Sequence, residues 1–160
     1  MGEHSLTRAL RELLLARRTA ALGTLDEHDG VFVSMVPFAI DSAAGELVLH
    51  VSGLAAHSGN MQRSPRVSLL VCAAEPEGEP VHALPRVTLD AQARFAEPGS
   101  PEAVSSRLVY LQRFPEAEMM TTLGDFRFVR LQLLGARQVA GFGAARSLPA
   151  EEVRRALTAI

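Results

Sequence analysis

A chain of 160 residues with 48% apolar and 21% charged residues can bury one substantial core. A net charge of −2 gives no general pull toward nucleic acid or anionic membrane, and the apolar runs are strand-sized, none approaching a bilayer span. A single cysteine, Cys72, and the lack of any lysine exclude an intrachain disulfide, a thiolate metal cluster and a lysine Schiff base.

The start, Met1-Gly2-Glu3-His4, has no basic segment leading into an apolar stretch, and Leu6 stands where a myristoylation signal wants Ser or Thr. A cytoplasmic location is expected. Ser5 to Arg17 is an amphipathic helix, with Leu6, Leu10, Leu13 and Leu14 on one stripe. Thr19 to Leu25 is a short strand, Asp29-Gly30 a hairpin turn, and Val31 to Ile40 an apolar, doubly buried central strand in which Pro37 argues for a bulge or an unpaired edge. Ser42 to Gly45 turns the chain, and Glu46 to Ser52 alternates, Leu47, Leu49 and Val51 against His50 and Ser52. Gly53 to Ala56 is loop, and His57 to Ser64 forms two helical turns stopped by Pro65.

Arg66 to Ala74 is another apolar strand, where Cys72 is an inert thiol, and Glu75 to Pro85 is an acidic surface loop. Arg86 to Phe95 shows the cleanest alternation in the chain. Ser100-Pro101-Glu102 starts a helix whose apolar stripe is Val104, Leu108 and Leu111, with Tyr110 off that stripe. Phe126 to Leu134 is a strand with a phase slip between Phe128 and Val129 that suggests a bulge, Gln138 to Gly141 adds a short strand, and Glu151 to Ile160 is a terminal helix. Six or seven mostly hairpin-linked strands favour a mainly β, closed or nearly closed barrel with peripheral helices.

The strand–loop–helix from Leu47 to Pro65 holds the most suggestive chemistry. A helix start offers free backbone N–H groups, and Ser52, His57, Ser58 and Asn60 add side-chain donors there, a set that suits a phosphate. The plainer alternative is that Ser58 caps the helix and His57 is a solvated loop residue. The histidines His4, His28, His50, His57 and His82 are not at zinc-ligand spacing, so no metal site is expected.

From Leu49 to Leu70 the chain carries a Ser-x-Leu-Ala-x-His-Ser-x-Asn core followed by Ser-Pro-Arg-Val-Ser-Leu-Leu. Ser34-Met35-Val36-Pro37-Phe38, Pro85-Arg86-Val87-Thr88-Leu89, Phe114-Pro115-Glu116-Ala117, Gly124-Asp125-Phe126-Arg127 and Gly141-Phe142-Gly143 flank it in order. This set resembles the FMN-binding split-barrel proteins of the pyridoxamine 5′-phosphate oxidase superfamily and, more closely, is similar to its haem-utilisation subgroup. The resemblance implies a single domain over residues 1–160, a six-stranded antiparallel split β-barrel of the FMN-binding type, and a homodimer with FMN in a groove at the subunit interface. Carried over by position, Ser34 and Val36 would lie along the flavin, partly through backbone groups, Ser52, His57, Ser58 and Asn60 would hold its phosphate, and Arg86 would reach the ring or the phosphate.

The pattern also departs from the family. Val33 and Phe38 replace a basic pair, His57 a lysine, and Gly59 and Ala144 further basic residues, so oxidation of pyridoxamine phosphate itself is not expected. The leading expectation is an FMN-dependent oxidoreductase of unassigned substrate and unassigned catalytic residues, with no nucleic-acid or membrane partner. The alternatives are a haem-binding or haem-utilisation protein using the same groove without flavin, with His50 or His57 on the iron, and a non-catalytic split-barrel dimer.

Overall fold

The structure, a computed structural model, describes residues 3–160, so the expectations attached to Met1 and Gly2 lie outside it. In chain order the elements are α1 (Ser5–Ala16), β1 (Thr19–Leu25), β2 (Val31–Pro37), β3 (Ala39–Asp41), β4 (Glu46–Ser52), α2 (Ala56–Arg63), β5 (Arg66–Cys72), β6 (Arg86–Phe95), α3 (Pro101–Arg113), β7 (Phe126–Val139), β8 (Ala145–Pro149) and α4 (Ala150–Thr158). All eight strands join one antiparallel sheet in the order β2-β1-β5-β6-β7-β4-β3, with β8 paired to β7.

The sheet's first and last strands are consecutive in sequence and separated only by Phe38. The sheet therefore curls until its two ends approach at that residue without pairing, an open form of the mainly β split barrel the sequence led one to expect, with eight strands among the described residues where six were expected. Phe38 is wholly buried, and its N–H donates to Arg18 O. Leu22, Leu49, Leu69, Leu89 and Leu131 fill the interior, and Leu10 and Leu14 of α1 with Val153 and Leu157 of α4 pack into the same core.

Several elements differ from expectation. Val31 to Ile40 is not one central strand: it breaks at Pro37–Phe38 into β2 and β3, and β2 is an edge whose outward side chains Val31, Val33 and Met35 are 80%, 62% and 66% exposed. Pro37 lacks the N–H that would continue the ladder. The phase slip at Phe128 and Val129 is not a bulge. Residues Phe128 to Leu131 are buried on both sides because the core covers one face of β7 and α3 the other. The register shift lies at Asp90/Ala91, opposite Gly135 and Leu133, which leaves Leu134 unpaired. β7 continues to Val139 and absorbs the short strand placed at Gln138, while β8, beyond a turn with Gly141 and Gly143 at positive φ, was not anticipated.

α3 also presents a different face. Val104 and Leu108 are exposed, and Ser106 and Tyr110 are buried. The reason is Arg130 on β7, which is 4% exposed. It donates to Ser106 Oγ at 2.9 Å, Ser105 Oγ at 3.0 Å and Asp41 at 2.7 Å. A buried guanidinium needs such partners, and the helix turns its serines to supply them.

Candidate functional site

β4 ends at Ser52, and the chain turns through Gly53 to Ala55 into α2. Gly53 N–H donates to Asp125 O, and a Cβ at Gly53 would come within 2.9 Å of that carbonyl, so a larger residue would push the two loops apart. The N-terminal cap residue Ala55 has no side-chain hydrogen bond to give, so α2 begins uncapped.

The side chains placed here by sequence come together, but mostly with each other. Ser58 is buried and does not cap; its hydroxyl donates to Ser52 O. Asn60 is buried and donates to Thr24 Oγ1 at 3.0 Å, while its carbonyl accepts from Arg63. Ser52 donates to Asp125 at 3.2 Å and accepts from Leu54 N–H. Val36 packs its side chain in the barrel core, so only its backbone, on the edge strand β2, could border a groove ligand. Arg86 lies away from α2 and donates to the carbonyls of Leu84 and His82. Thr24 and Asp125 tie the loop and helix in place; Asp125 stands in the Gly124-Asp125-Phe126-Arg127 motif but without a site role, and Thr24 carries no local sequence signal.

His57 is different. It is half-buried, its Nδ1 lies 2.9 Å from Ser34 Oγ on β2, and among the described residues nothing bonds its Nε2. Burial lowers its pKa, which favours the neutral imidazole. Beside the helix start lies a depression of about 310 Å³ lined by Asp26 and Glu27 as well as His28, Asn60 and Arg63. Asp26 accepts from the backbone N–H groups of Gly30 and His28, which hold its carboxyl below the usual range.

These features do not fit a flavin phosphate. The hydroxyl and amide donors meant for it are spent within the chain, and two carboxylates line the depression beside the helix start. A dianion placed there would meet two carboxylates against Arg63, itself bonded to Asn60, and would have only the uncapped backbone N–H groups of α2 in place of the expected side-chain donors. Among the described residues no cluster of potential metal ligands occurs, and no helix is long and apolar enough to cross a membrane.

The family model described as pyridoxamine 5′-phosphate oxidase matches residues 6–140. Heme oxygenase HutZ of Vibrio cholerae is 30% identical over 90% of this chain and 81% of its own length. A crystal structure of HutZ, described there as a heme storage protein, superposes with a TM-score of 0.71 at 29% identity, over 78% of this chain and 87% of that one. The chloroplastic non-canonical heme oxygenase HOZ of Arabidopsis thaliana is 37% identical over 70% of this chain but only 32% of its own. A heme binding protein from Mycobacterium smegmatis gives a TM-score of 0.85 at 26% identity, over 97% of this chain and 62% of that chain. The chain thus spans most of HutZ but a smaller part of the other two. The names of these relatives overturn the expected FMN-dependent oxidoreductase, in agreement with the spent donors at the helix start. The curled sheet and the match over residues 6–140 together establish that the chain belongs to the pyridoxamine 5′-phosphate oxidase-like split-barrel superfamily, beside its haem-utilisation members.

Proposed function

We propose that this chain binds haem, as a substrate or cargo, on the face where β2 meets the start of α2, with His57 as the iron-ligating imidazole and Ser34 fixing its ring. The observation that carries the reading is that relatives alike over most of the chain are named for haem. His57 fits the group. A neutral imidazole is the form that ligates iron, and a hydrogen bond at Nδ1 leaves Nε2 free to do so. Of the other positions marked by sequence, Ser52, Ser58 and Asn60 shape the loop and helix that carry His57 rather than touch the ligand. Haem supplies iron and a conjugated ring; the chain supplies one ligand and its orientation.

The reading includes a homodimer. Val33 and Met35 share the outer face of the sheet with Ala21 and with exposed Leu70, which pairs with Ala21 on the far side of β1. A contiguous apolar face of this kind is expected to be covered.

The test is a haemin titration followed by the Soret band. A saturable, shifted band that is lost or displaced in His57→Ala supports the reading. No spectral change, or an identical spectrum in the variant, counts against it. A reductant and dioxygen added to the loaded protein then separate turnover, seen as Soret loss with iron release, from storage.

A further inference from the structure

A second cavity lies away from His57, between α3, the loop before it, residues 121–124 and the start of β7. Its volume is about 270 Å³, below the usual range of roughly 300–1,000 Å³ for drug-sized ligands. A tetrapyrrole does not fit it.

His50 lines it from β4. The residue is 8% exposed, and its ring stacks on Phe126 at 4.9 Å and packs against Phe128 at 4.5 Å and Tyr110 at 5.6 Å. Neither ring nitrogen has a hydrogen-bond partner among the described residues, and Nδ1 is sealed from solvent. A buried imidazole without partners is uncommon in a finished core. The economical arrangement leaves a lone pair on the sealed Nδ1 and the proton on Nε2, toward the cavity. Arg127 repeats the pattern: its Nε is sealed and unpaired, while its terminal nitrogen donates to Ala96 O. Arg107 also lines the space, held by a bond to Thr121 Oγ1, with the exposed carboxylate of Glu118 4.0 Å from its Nη2. Among the described residues no carboxylate lines the cavity itself, and its remaining walls are mainly apolar.

We propose that this cavity binds a small aromatic carboxylate, its ring lying among the apolar walls beside His50 and its anionic end on Arg107 and Arg127. Among the described residues Arg107 has only the exposed, 4.0 Å contact to Glu118 against it, and Arg127, lying over the Phe95 ring, has no carboxylate partner, so the pair leaves a net positive lining that selects an anion. The cavity admits a single ring, and the Nε2 proton of His50 gives the ligand one further donor.

The experiment titrates the whole chain with benzoate and follows the ¹⁵N signals of the His50 ring and the melting temperature. Saturable binding is expected, with selective movement of the His50 signals and a rise in melting temperature. Arg107→Met and Arg127→Met are each expected to weaken binding at least tenfold. Val104→Trp, at an exposed position of α3 on the cavity wall, is expected to block it without disturbing the fold, which keeps the test decisive if Arg127→Met fails to fold. Absence of saturable binding at millimolar benzoate, equal affinity in the arginine variants, or equal binding of benzyl alcohol would overturn the proposal. So would displacement by inorganic phosphate at the same concentration, since the ring would then contribute nothing. Haemin binding, measured in parallel, is expected to be unchanged in Val104→Trp, so the two sites stand or fall separately.

Discussion

Ser34 Oγ lies 2.9 Å from His57 Nδ1, a bond that joins the edge strand β2 to the first turn of α2. Its effect is to choose which imidazole nitrogen is available. If the hydroxyl accepts from Nδ1–H, the Nε2 lone pair is fixed outward. Ser34→Ala is therefore expected to weaken haem binding roughly 10–100-fold, the range seen when a partner behind a metal ligand is removed. Soret titration with far-UV circular dichroism as a folding control measures this. Unchanged affinity would remove Ser34 from the site.

His50 gives the fold a pH dependence. Burial alone pushes its pKa from 6.5 down to about 4. The unfolded chain therefore binds a proton at a higher pH than the folded one, so the contribution is complete above about 6.5 and is lost as pH falls toward about 4. The loss across that window is on the order of 3 kcal/mol. His50→Phe keeps an aromatic ring but removes the titration. Urea unfolding at pH 7 and at pH 4.5 should show a smaller drop for the variant than for the parent; parallel drops would mean that His50 titrates normally.

Asp41 and Arg130 form a buried ion pair at 2.7 Å, closed by Ser105, Ser106 and a longer contact to Glu46. Burial works to raise the Asp41 pKa, but the Arg130 hydrogen bond and the backbone N–H groups of the following turn outweigh it, and the net shift is downward. Its contribution is thus present above the ordinary carboxylate range and is lost only in stronger acid, below the His50 window. Asp41→Asn leaves the buried guanidinium with only the longer Glu46 contact as counter-charge and is expected to cost roughly 3 kcal/mol, the low end for a broken buried pair. Adding Arg130→Met to that variant should recover much of the loss. Denaturant midpoints of the two singles and the double decide it, and strictly additive losses would show that the pair is not coupled.

The outer face of β2 predicts an assembly. Val33→Arg or Met35→Glu places a charge in a surface that pairing would bury, and both are expected to convert a dimer to a monomer while leaving the barrel intact. Analytical ultracentrifugation over a hundredfold concentration range measures this. A parent chain that is already monomeric throughout would refute the pairing.

The sequence by itself determined most of the strand segments and the family, though not the break at Phe38, the length of β7 or the existence of β8. Period-two alternation at Arg86 to Phe95 and at Glu46 to Ser52, with turn residues between strands, is a local signal that burial on one face imposes. The ordered motifs from Ser34 to Gly143 carried the split barrel. Local signals could not say which strand is an edge, because that depends on which segments pair, and so β2 seemed central until the sheet order exposed it. Nor could the helical period orient α3. Val104, Leu108 and Leu111 make an apolar stripe, yet the helix docks through Ser106 and Tyr110, because a guanidinium 24 residues later must be satisfied. The same limit held at the candidate site. Ser52, Ser58 and Asn60 look like phosphate donors in a line of sequence, but only the fold brings Asp125, Thr24 and the Ser52 carbonyl close enough to consume them, and only the fold sets Ser34 against His57. A side chain's polarity is a local property, while its remaining hydrogen-bonding capacity is decided by whatever the tertiary structure places within 3 Å or so of it.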